Sequence, residues 1–225
     1  MFETIYGIYG ASGFGRETMP IARACAMAAG ARTDDVYFID DSSKSEAYGN
    51  EGFVNGQRVV TYAQFLAVPA ARRLVAVAIA DAQVRERLAQ KLETDEIEAW
   101  SLFAENSLVL DNVQIGEGAI LSPFSMLTSN IKIGRYFHAN IYSYVAHDCV
   151  VGDFVTFAPG VKCNGNVVIE DFAYVGTGAI LKQGRPDRPL TIGRGAVVGM
   201  GAVVTKDVPA GDVVVGNPAR ELRRD

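Results

Sequence analysis

The sequence predicts a protein of two parts, in which a small α/β unit with a parallel sheet is followed by a parallel β-helix. Two observations lead to this fold class. From about residue 109 onward, apolar residues recur at every sixth position. The preceding hundred residues instead alternate short apolar runs with helical stretches, and the first run ends in a glycine-rich loop. We place the boundary after residue 104, which gives domains of residues 1–104 and 105–225.

The N-terminal part follows the order strand, helix, strand, helix, strand. The predicted elements are, in chain order, a strand at Ile5–Tyr9, a helix at about Arg16–Ala28, a strand from Val36 that ends in Asp40 and Asp41, a buried strand at Leu74–Ile79, a helix from the N-cap Asp81 to about Leu92, and a short strand at Glu96–Trp100. Alternation of this kind predicts a parallel sheet with helices packed against it.

The loop after the first strand is rich in small residues, running Gly10-Ala-Ser12-Gly13-Phe14-Gly15. Small residues let a backbone approach a ligand closely, and the N-terminus of the following helix favours anions. The spacing G-x-x-G-x-G differs from the G-x-G-x-x-G of dinucleotide-binding folds. Three interpretations stay open at this point: a loop for a phosphate or nucleotide sugar, an NAD site, or a tight turn that binds nothing.

Asp40 and Asp41 end the second predicted strand, near the crevice where such folds bind ligands. Acids at this position can accept hydrogen bonds from a ribose or a base. The alternative is a solvated turn that leads into Ser42-Ser43.

The C-terminal part is defined by a hexapeptide repeat. Twelve positions, six residues apart, are all apolar: Ile115, Leu121, Leu127, Ile133, Ala139, Val145, Val151, Phe157, Cys163, Ile169, Val175 and Leu181. In a chain with 49% hydrophobic residues, twelve in a row arise by chance with a probability of roughly 0.02%. The frame resumes at Ile192, Val198 and Val204.

A period of six fits neither an α-helix nor an ordinary strand, whose periods are 3.6 and 2. It fits a short strand followed by a corner, with three hexads in each triangular coil. Stacked coils pair strand on strand at about 4.8 Å, and each coil covers the apolar face of the next. Antiparallel strands, the alternative, need turn signals every 8–12 residues. The repeat therefore predicts about five coils.

One polar segment, Gly184–Pro189, interrupts the repeat with two prolines and two arginines. It predicts a loop that leaves the column at one corner, which is a common place for binding function in solenoids. A tolerated insertion without function is the alternative.

Composition excludes several functional classes. The net charge of −5 and pI near 5.1 do not predict nucleic-acid binding, which requires a basic surface. No apolar run reaches the roughly 20 residues of a membrane span, and the first ten residues do not resemble a signal peptide. The spacing of Cys25, Cys149 and Cys163 predicts neither disulfides nor a metal site. We therefore expect a cytoplasmic protein with reduced thiols and no metal.

The two histidines differ in their place in the repeat. His138 occupies the sixth place of its hexad, which predicts a surface or interface histidine or a ligand contact. His147 lies two residues after the inward Val145, at a place that faces outward. Imidazole is suited to proton transfer at neutral pH, so His147 is the candidate general base. Cys149 and Cys163 fall on inward columns, which argues against a cysteine nucleophile.

The glycine loop and three further stretches, Ala146–Gly152, Cys163–Asn166 and Val215–Ala219, resemble the bacterial nucleotide-sugar acetyltransferases. These include the UDP-4-amino-sugar and GDP-perosamine N-acetyltransferases and the sialic acid O-acetyltransferase-like proteins. The resemblance covers essentially the whole chain. It implies a left-handed coil, a homotrimer, and acetyl-CoA as the acyl donor.

The resemblance also implies roles for individual residues. The general base is His147 with Asp148 as its acidic partner, and the backbone N–H of Gly165 polarises the thioester carbonyl. The nucleotide sugar is held by Gly10, Ser12, Gly13, Phe14, Gly15, Asp40 and Asp41. Phe14 departs from many relatives, which carry histidine there. The expected coenzyme A contacts are Thr156, Gly165, Gly176, Thr177, Gly199 and Gly201, in a groove between two subunits.

The function expected from this resemblance is N-acetylation of a nucleotide-linked 4-amino-4,6-dideoxy sugar. In the proposed step, the sugar amine attacks the thioester directly, and no acyl-enzyme forms. O-acetylation of a sugar such as sialic acid is the alternative within enzymes. A non-catalytic β-helix that binds a ligand is the alternative outside them.

Overall fold

The computed structural model describes residues 2–41 and 52–222. The chain divides into two compact units, Met1–Leu102 and Phe103–Asp225, with the division two residues before the predicted boundary. The predicted turn at Ser42-Ser43 lies outside the described residues.

The first unit is a largely parallel sheet with helices between its strands. Its elements are β1 (Phe2–Tyr9), α1 (Gly13–Ala28), β2 (Val36–Ile39), β3 (Phe53–Val54), β4 (Gln57–Val60), α2 (Tyr62–Ala67), β5 (Ala70–Val77), α3 (Ala82–Thr94) and β6 (Glu98–Ala99). The strand order is β3-β4-β2-β1-β5-β6. β1 lies between β2 and β5, so the strand order changes direction at β1. The carboxyl ends of β1 and β5 therefore flank the crevice that is typical of such sheets.

The structure adds β3, β4 and α2 to the elements that the sequence predicted. The β3–β4 hairpin is short, and α2 has six residues. These elements are too short for a hydrophobic period to be recognised in the sequence. Capping fixes α2 instead, because the hydroxyl of Thr61 accepts from the N–H of Gln64 and the Gln64 amide accepts from the N–H of Thr61. The predicted cap of α3 is confirmed, since Asp81 accepts from the N–H of Val84 at 2.9 Å.

The second unit is a left-handed parallel β-helix. Its strands are β7 (Leu102–Phe103), β8 (Leu108–Val109), β9 (Val113–Ile115), β10 (Ile120–Leu121), β11 (Met126–Leu127), β12 (Ile131–Ile133), β13 (His138–Ala139), β14 (Tyr144–Val145), β15 (Val150–Val151), β16 (Thr156–Phe157), β17 (Lys162–Cys163), β18 (Val167–Ile169), β19 (Tyr174–Val175), β20 (Ile180–Leu181), β21 (Leu190–Ile192), β22 (Val197–Val198), β23 (Val203–Val204), β24 (Val213–Val215) and β25 (Arg220–Glu221).

These strands form three faces of a prism. Face I contains β7, β10, β13, β16, β19, β22, β24 and β25; face II contains β8, β11, β14, β17, β20 and β23; face III contains β9, β12, β15, β18 and β21. Val145 pairs with Cys163, and Cys163 pairs with Leu181. One coil is therefore 18 residues, which is three hexads, as the repeat predicted.

The inward column has the predicted members. From Leu121 to Leu181 every sixth residue is buried, and Ile115, at the open N-terminal end, is partly buried. The second column, four places later in each hexad, is buried as well, and its Ser125 and Ser143 donate their hydroxyls to backbone carbonyls of the same corner. Burying these small hydroxyls is therefore compatible with the apolar core.

Each edge of the prism turns through residues with positive φ. The edge between faces I and II uses Phe124, Tyr142, Gly160, Gly178 and Gly201; the edge between faces II and III uses Asn112, Asn130, Asp148 and Asn166; the third edge uses Gly118, Tyr136, Phe154, Phe172, Gly195 and Gly211. Asn and Asp tolerate this conformation better than other side chains. The aromatic residues stack on one another from coil to coil, with Phe124 and Tyr142 ring centroids 5.0 Å apart.

Replacement of Phe157 by alanine tests the packing of the column. Phe157 is 0% exposed and meets the Phe137 ring edge-on at 5.2 Å. We expect Phe157→Ala to lower the free energy of unfolding by about 3–5 kcal/mol, measured by urea denaturation. Lys132→Ala, on the exposed surface of face III, is the control and should change it by less than about 0.5 kcal/mol. A loss for Phe157→Ala as small as the control's would contradict a packed column.

Candidate active site

The edge between faces II and III carries a ladder of polar side chains at one position of successive coils. The Nδ2 of Asn112 donates to Oδ1 of Asn130 at 2.8 Å, and the Nδ2 of Asn130 donates to Oδ1 of Asp148 at 3.3 Å. All three residues have positive φ, between 56° and 58°. Since they are 18 residues apart, the coil brings them together. The ladder holds the Asp148 carboxylate in place.

His147 lies beside this ladder, on the outside of the column. Its Nδ1 is 2.7 Å from Oδ2 of Asp148, and both side chains are 47% exposed. The carboxylate therefore selects the tautomer with the proton on Nδ1, and Nε2 keeps its lone pair. Among the described residues, no group hydrogen-bonds to Nε2. The predicted outward position of His147 is thus confirmed.

Gly165 lies one coil from His147, directly against the imidazole. A Cβ at this position would lie 2.4 Å from Cε1 and 2.5 Å from Nε2 of His147. Only glycine leaves room for the ring. The Gly165 carbonyl accepts from the N–H of Gly184 at 2.9 Å, whereas its own N–H donates to no acceptor in the part of the chain that the structure describes. A proton acceptor and an unused donor therefore lie side by side.

The cysteines near this edge are part of the core. Cys149 and Cys163 are both buried, and both sulfurs are within hydrogen-bonding range of the Asn164 carbonyl, at 3.3 and 3.7 Å. A hydrogen bond with Cys149, together with burial, raises the pKa of the Cys163 thiol well above its usual value. Neither thiol is available to a substrate, which agrees with the expectation from their columns.

His138 corrects one prediction. Its ring is 0% exposed, so it is not a surface histidine of this chain. It lies in β13, in register with Thr156 of β16, which is only 3% exposed. At β13 and β16 the residues that precede the inward column on face I are buried, which a period of six does not predict. Thr156 consequently offers no surface for coenzyme A, and we leave it out of the proposed site.

The predicted glycine corners lie on a different edge from His147. Gly176 and Gly199 turn the edge between faces I and II, where a Cβ would lie 2.6 Å from the N of Met200 and 2.7 Å from Cγ1 of Val215, respectively. Gly201 has φ of 67°, and its N–H donates to the Thr177 carbonyl at 2.8 Å. Coil stacking therefore requires glycine at Gly176 and Gly199, whereas a Cβ at Gly201 would meet no neighbouring atom. Face II separates this edge from His147 within one chain.

The glycine-rich loop of the first unit contains two kinds of position. A Cβ at Gly15 would lie 1.9 Å from the Gly10 carbonyl oxygen, and Gly10 has φ of 109°. These two glycines serve the tight turn from β1 into α1. Ser12 and Gly13 are exposed, and Ser12 caps α1 without a side-chain hydrogen bond to it. Ser12 and Gly13 are therefore the residues that a ligand can reach, while Phe14 is half-buried.

Asp41 is engaged within the first unit. Its Oδ1 accepts from the N–H of Tyr62 at 2.8 Å, its Oδ2 accepts from the Tyr9 hydroxyl, and Lys91 lies 3.9 Å away. Burial and this carboxylate raise the pKa of Tyr9. The side chain joins β1, α2 and α3, and 43% of it stays exposed, so its contact with a ligand stays a prediction. Asp40, at the end of β2, is half-buried.

Arg85 was missed by sequence reasoning. It is buried in α3, and its guanidinium donates to the carbonyls of Ile79 and Ala80 at 2.7 and 3.1 Å. Burial lowers the pKa of this group to about 9. Arg85 fixes the loop after β5, which adjoins Gly10 through the Ala78 carbonyl. In the sequence, Arg85 looks like an exposed residue of a helix, so the sequence does not predict that it is buried or that it binds these two carbonyls.

Residues 2–41 and 52–222 contain no helix with the length and hydropathy of a membrane span. Nor do three or more His, Cys, Asp or Glu side chains gather there into a metal-binding group.

Comparison with known proteins gives a consistent result. Residues 7–92 match the PglD N-terminal domain. Over 220 residues the chain is 50% identical to the GDP-perosamine N-acetyltransferase of Escherichia coli O157:H7, covering 98% of this chain and 97% of that protein. It is similar to WeeI from Acinetobacter baumannii AYE, with 56% identity, a TM-score of 0.91, and coverage of 97% of this chain and 100% of that one.

A second similar structure contains a ligand. The acetyltransferase domain of PglB from Neisseria gonorrhoeae FA1090, in complex with acetyl coenzyme A, is 25% identical, with a TM-score of 0.84 and coverage of 99% of this chain and 100% of that one. The prism and the relatives named above together define an acyltransferase of the hexapeptide-repeat, left-handed β-helix class. The chain belongs to the bacterial nucleotide-sugar acetyltransferase family. The family, fold class and enzyme class expected from the sequence are confirmed, while the roles of single residues stay predictions.

Gly165→Ala tests the contact between Gly165 and the imidazole. The backbone at Gly165 does not need positive φ, so alanine fits the chain but displaces the ring. A displacement of about 1 Å is expected to lower turnover about 100-fold. In a His147→Ala background the same change should cost nothing further, measured as a double-mutant cycle of kcat. Full additivity of the two losses would show that Gly165 does not act through the ring.

Asn130→Ala tests the polar ladder. Loss of the hydrogen bond to Asp148 should lower kcat about fivefold, the equivalent of about 1 kcal/mol. Gln114→Ala is the matched control, because Gln114 has an exposed amide side chain on face III and lies outside the ladder. The measurement is steady-state kinetics. Equal activities of the two variants would mean that the ladder does not position Asp148 for catalysis.

Proposed function

We propose that this enzyme transfers the acetyl group of acetyl-CoA to the amino group of a nucleotide-linked 4-amino-4,6-dideoxy sugar. The observation that carries the proposal is the arrangement of His147: its Nδ1 is bound to Asp148, its Nε2 is open, and Gly165 lies against the ring. The 50% identical relative, named as a GDP-perosamine N-acetyltransferase, supports this acceptor class.

In the proposed reaction the neutral sugar amine attacks the thioester carbonyl, and Nε2 of His147 takes the proton that the amine loses. General-base catalysis of this kind contributes about 10²–10⁴-fold. Asp148 stabilises the imidazolium that forms. Collapse of the tetrahedral intermediate breaks the C–S bond, and the imidazolium returns the proton to the departing thiolate.

The N–H of Gly165 is the proposed donor to the oxyanion. One such donor in a site that excludes water is worth about 3 kcal/mol. The N–H has no acceptor among the described residues, and the carbonyl oxygen of the thioester supplies one beside the imidazole. Alignment of two bound substrates provides the remaining rate enhancement.

The acceptor's diphosphate is proposed to bind at Ser12 and Gly13, at the N-terminus of the 16-residue α1. The N–H groups there favour anions. Asp40, where β2 ends, is positioned at the crevice to accept hydrogen bonds from the nucleoside. Gly10 and Gly15 support this loop through the tight turn, and Phe14 flanks it.

We infer that the active enzyme is a homotrimer, in which a neighbouring prism closes the groove for the donor. The edge between faces I and II exposes apolar side chains that a neighbour can cover, including Phe124 at 54% and Tyr142 at 62%. The glycine corners Gly176 to Gly201 would then reach coenzyme A from the adjacent chain. The proposal also places the enzyme in the cytoplasm, where its free cysteines stay reduced.

His147→Asn tests the mechanism. With a panel of GDP-, UDP- and dTDP-linked 4-amino sugars, the wild-type protein should release CoA thiol with at least one acceptor. His147→Asn should lower kcat about 10²–10⁴-fold, while calorimetry shows unchanged acetyl-CoA affinity. Turnover near that of the wild type would overturn the base assignment.

The product distinguishes the two acetylation reactions. An N-acetyl group survives mild base, whereas an O-acetyl ester is hydrolysed, and mass spectrometry of the treated product separates them. An ester product would replace the proposed function with O-acetylation. Absence of transfer to every amino sugar in the panel would contradict the proposed acceptor class.

A further inference from the structure

Two buried thiols lie behind the edge that carries His147, and the mechanism described above uses neither. Cys149 is 1% exposed and Cys163 is 0% exposed. The sulfur of Cys149 is 3.3 Å from the carbonyl oxygen of Asn164 and 3.6 Å from that of His147. The first carbonyl shares a peptide group with the N–H of Gly165, and the second belongs to the residue that carries the imidazole. Cys149 therefore contacts the backbone of both proposed catalytic groups.

The position of the Asn164 carbonyl fixes the direction of the Gly165 N–H. A trans peptide group is planar, and its C=O and N–H point in opposite directions. Among the described residues, only the bond between Asn217 and Pro218 is cis. Because the Asn164 oxygen lies against the buried sulfur of Cys149, the N–H of Gly165 points away from that sulfur. This is the orientation that the proposed oxyanion donor needs.

Glycine at position 165 allows this peptide group a second orientation. Without a Cβ, rotation of the peptide between Asn164 and Gly165 has little steric cost. The backbone on either side is fixed, since Asn164 donates its N–H to the Leu181 carbonyl at 3.3 Å and Asn166 donates to the His147 carbonyl at 3.0 Å. A rotated peptide would turn a carbonyl oxygen toward the thioester in place of a donor. A hydrogen bond to the Asn164 carbonyl would hold the productive orientation.

Cys149 is placed to donate this hydrogen bond. Its sulfur accepts from the N–H of Val167 at 3.4 Å, and a group that accepts one hydrogen bond becomes a better donor of another. Of the two carbonyl oxygens near its S–H, that of Asn164 is the closer, and that of His147 already has a backbone donor. Cys163 is the poorer donor to Asn164, because its sulfur is 3.7 Å away and forms a hydrogen bond with Cys149.

We propose that Cys149 is a positioning residue, whose buried S–H holds the peptide group between Asn164 and Gly165 with its N–H directed at the thioester carbonyl. The inference rests on the proposed function, in which that N–H is the oxyanion donor. Cys149 acts through the backbone and touches neither substrate. Loss of its S–H allows the peptide group both orientations, and only one of them stabilises the oxyanion.

Cys149→Ala and Cys149→Ser separate the hydrogen bond from the packing of the side chain. In full-length Cys149→Ala, kcat should fall about tenfold, which is part of the roughly 100-fold cost of losing a whole oxyanion donor, while the KM for acetyl-CoA stays unchanged. Cys149→Ser keeps a donor and should recover most of this loss. Val155→Ala is the matched control, because Val155 is buried in the same column and follows Phe154 at the third edge of the prism. It should lose stability in urea and keep the wild-type kcat.

Infrared spectroscopy of bound acetyl-CoA, isotope-labelled at the thioester carbonyl, tests the same contact without any acceptor sugar. A hydrogen bond to the carbonyl lowers its stretching frequency. The wild-type protein should lower this frequency relative to free acetyl-CoA, and Cys149→Ala should lose most of the shift. Cys149→Ser and Val155→Ala should keep it.

The outcomes distinguish this inference from the function on which it rests. A full shift in Cys149→Ala, or equal kcat values of Cys149→Ala and Cys149→Ser, would overturn the positioning role and leave the donor role of Gly165 standing. Absence of a shift in the wild type would overturn both. If Cys149→Ala does not fold, the S–H stretching band of the wild type, assigned by its absence from Cys149→Ser, gives the answer. A band at the frequency of a thiol without a hydrogen bond would overturn the proposal, and a lowered frequency would support it.

Discussion

Parallel pairing of each coil with the next, at a register of 18 residues, is the constraint on which the second unit depends. The backbone N–H groups of one coil donate to carbonyls of the next, as from Ala146 to Cys163 and from Asn164 to Leu181. Apolar side chains fill the interior, so no coil is stable without a neighbour. Every functional position on the surface is consequently fixed by its distance along this register.

The proposed catalytic edge follows from that constraint. His147 and Gly165 are separated by one coil, and Gly184 continues the same line beyond them. The Asn112–Asn130–Asp148 ladder runs parallel to it. Because the column is rigid, it keeps the imidazole in contact with the glycine of the next coil. The packed core beneath the surface thus fixes the positions of the exposed side chains.

The first unit uses a different principle, in which the carboxyl ends of parallel strands converge on one crevice. Gly10 and Gly15 are needed for the turn into α1, and Asp41 joins three elements. Residues of the same glycine-rich motif therefore have different roles: Gly10 and Gly15 form the turn, whereas Ser12 and Gly13 stay accessible. Arg85 supports the neighbouring loop through two carbonyls.

The sequence by itself determined the column, because a period of six can be satisfied only by a strand and a corner, and it placed His147 outside because that residue is two places from the inward Val145. It did not determine that His138 and Thr156 are buried, since a period of six marks the inward positions and carries no information about the exposure of the residues beside them. The tertiary structure alone likewise decided three further features. These are the contact between the imidazole and Gly165, the side-chain ladder to Asp148, and the cavity beside Gly184 that Lys182, Arg188 and Lys206 line. Each depends on residues 18 or more positions apart meeting at one edge, and the side-chain conformations there are set by packing in three dimensions.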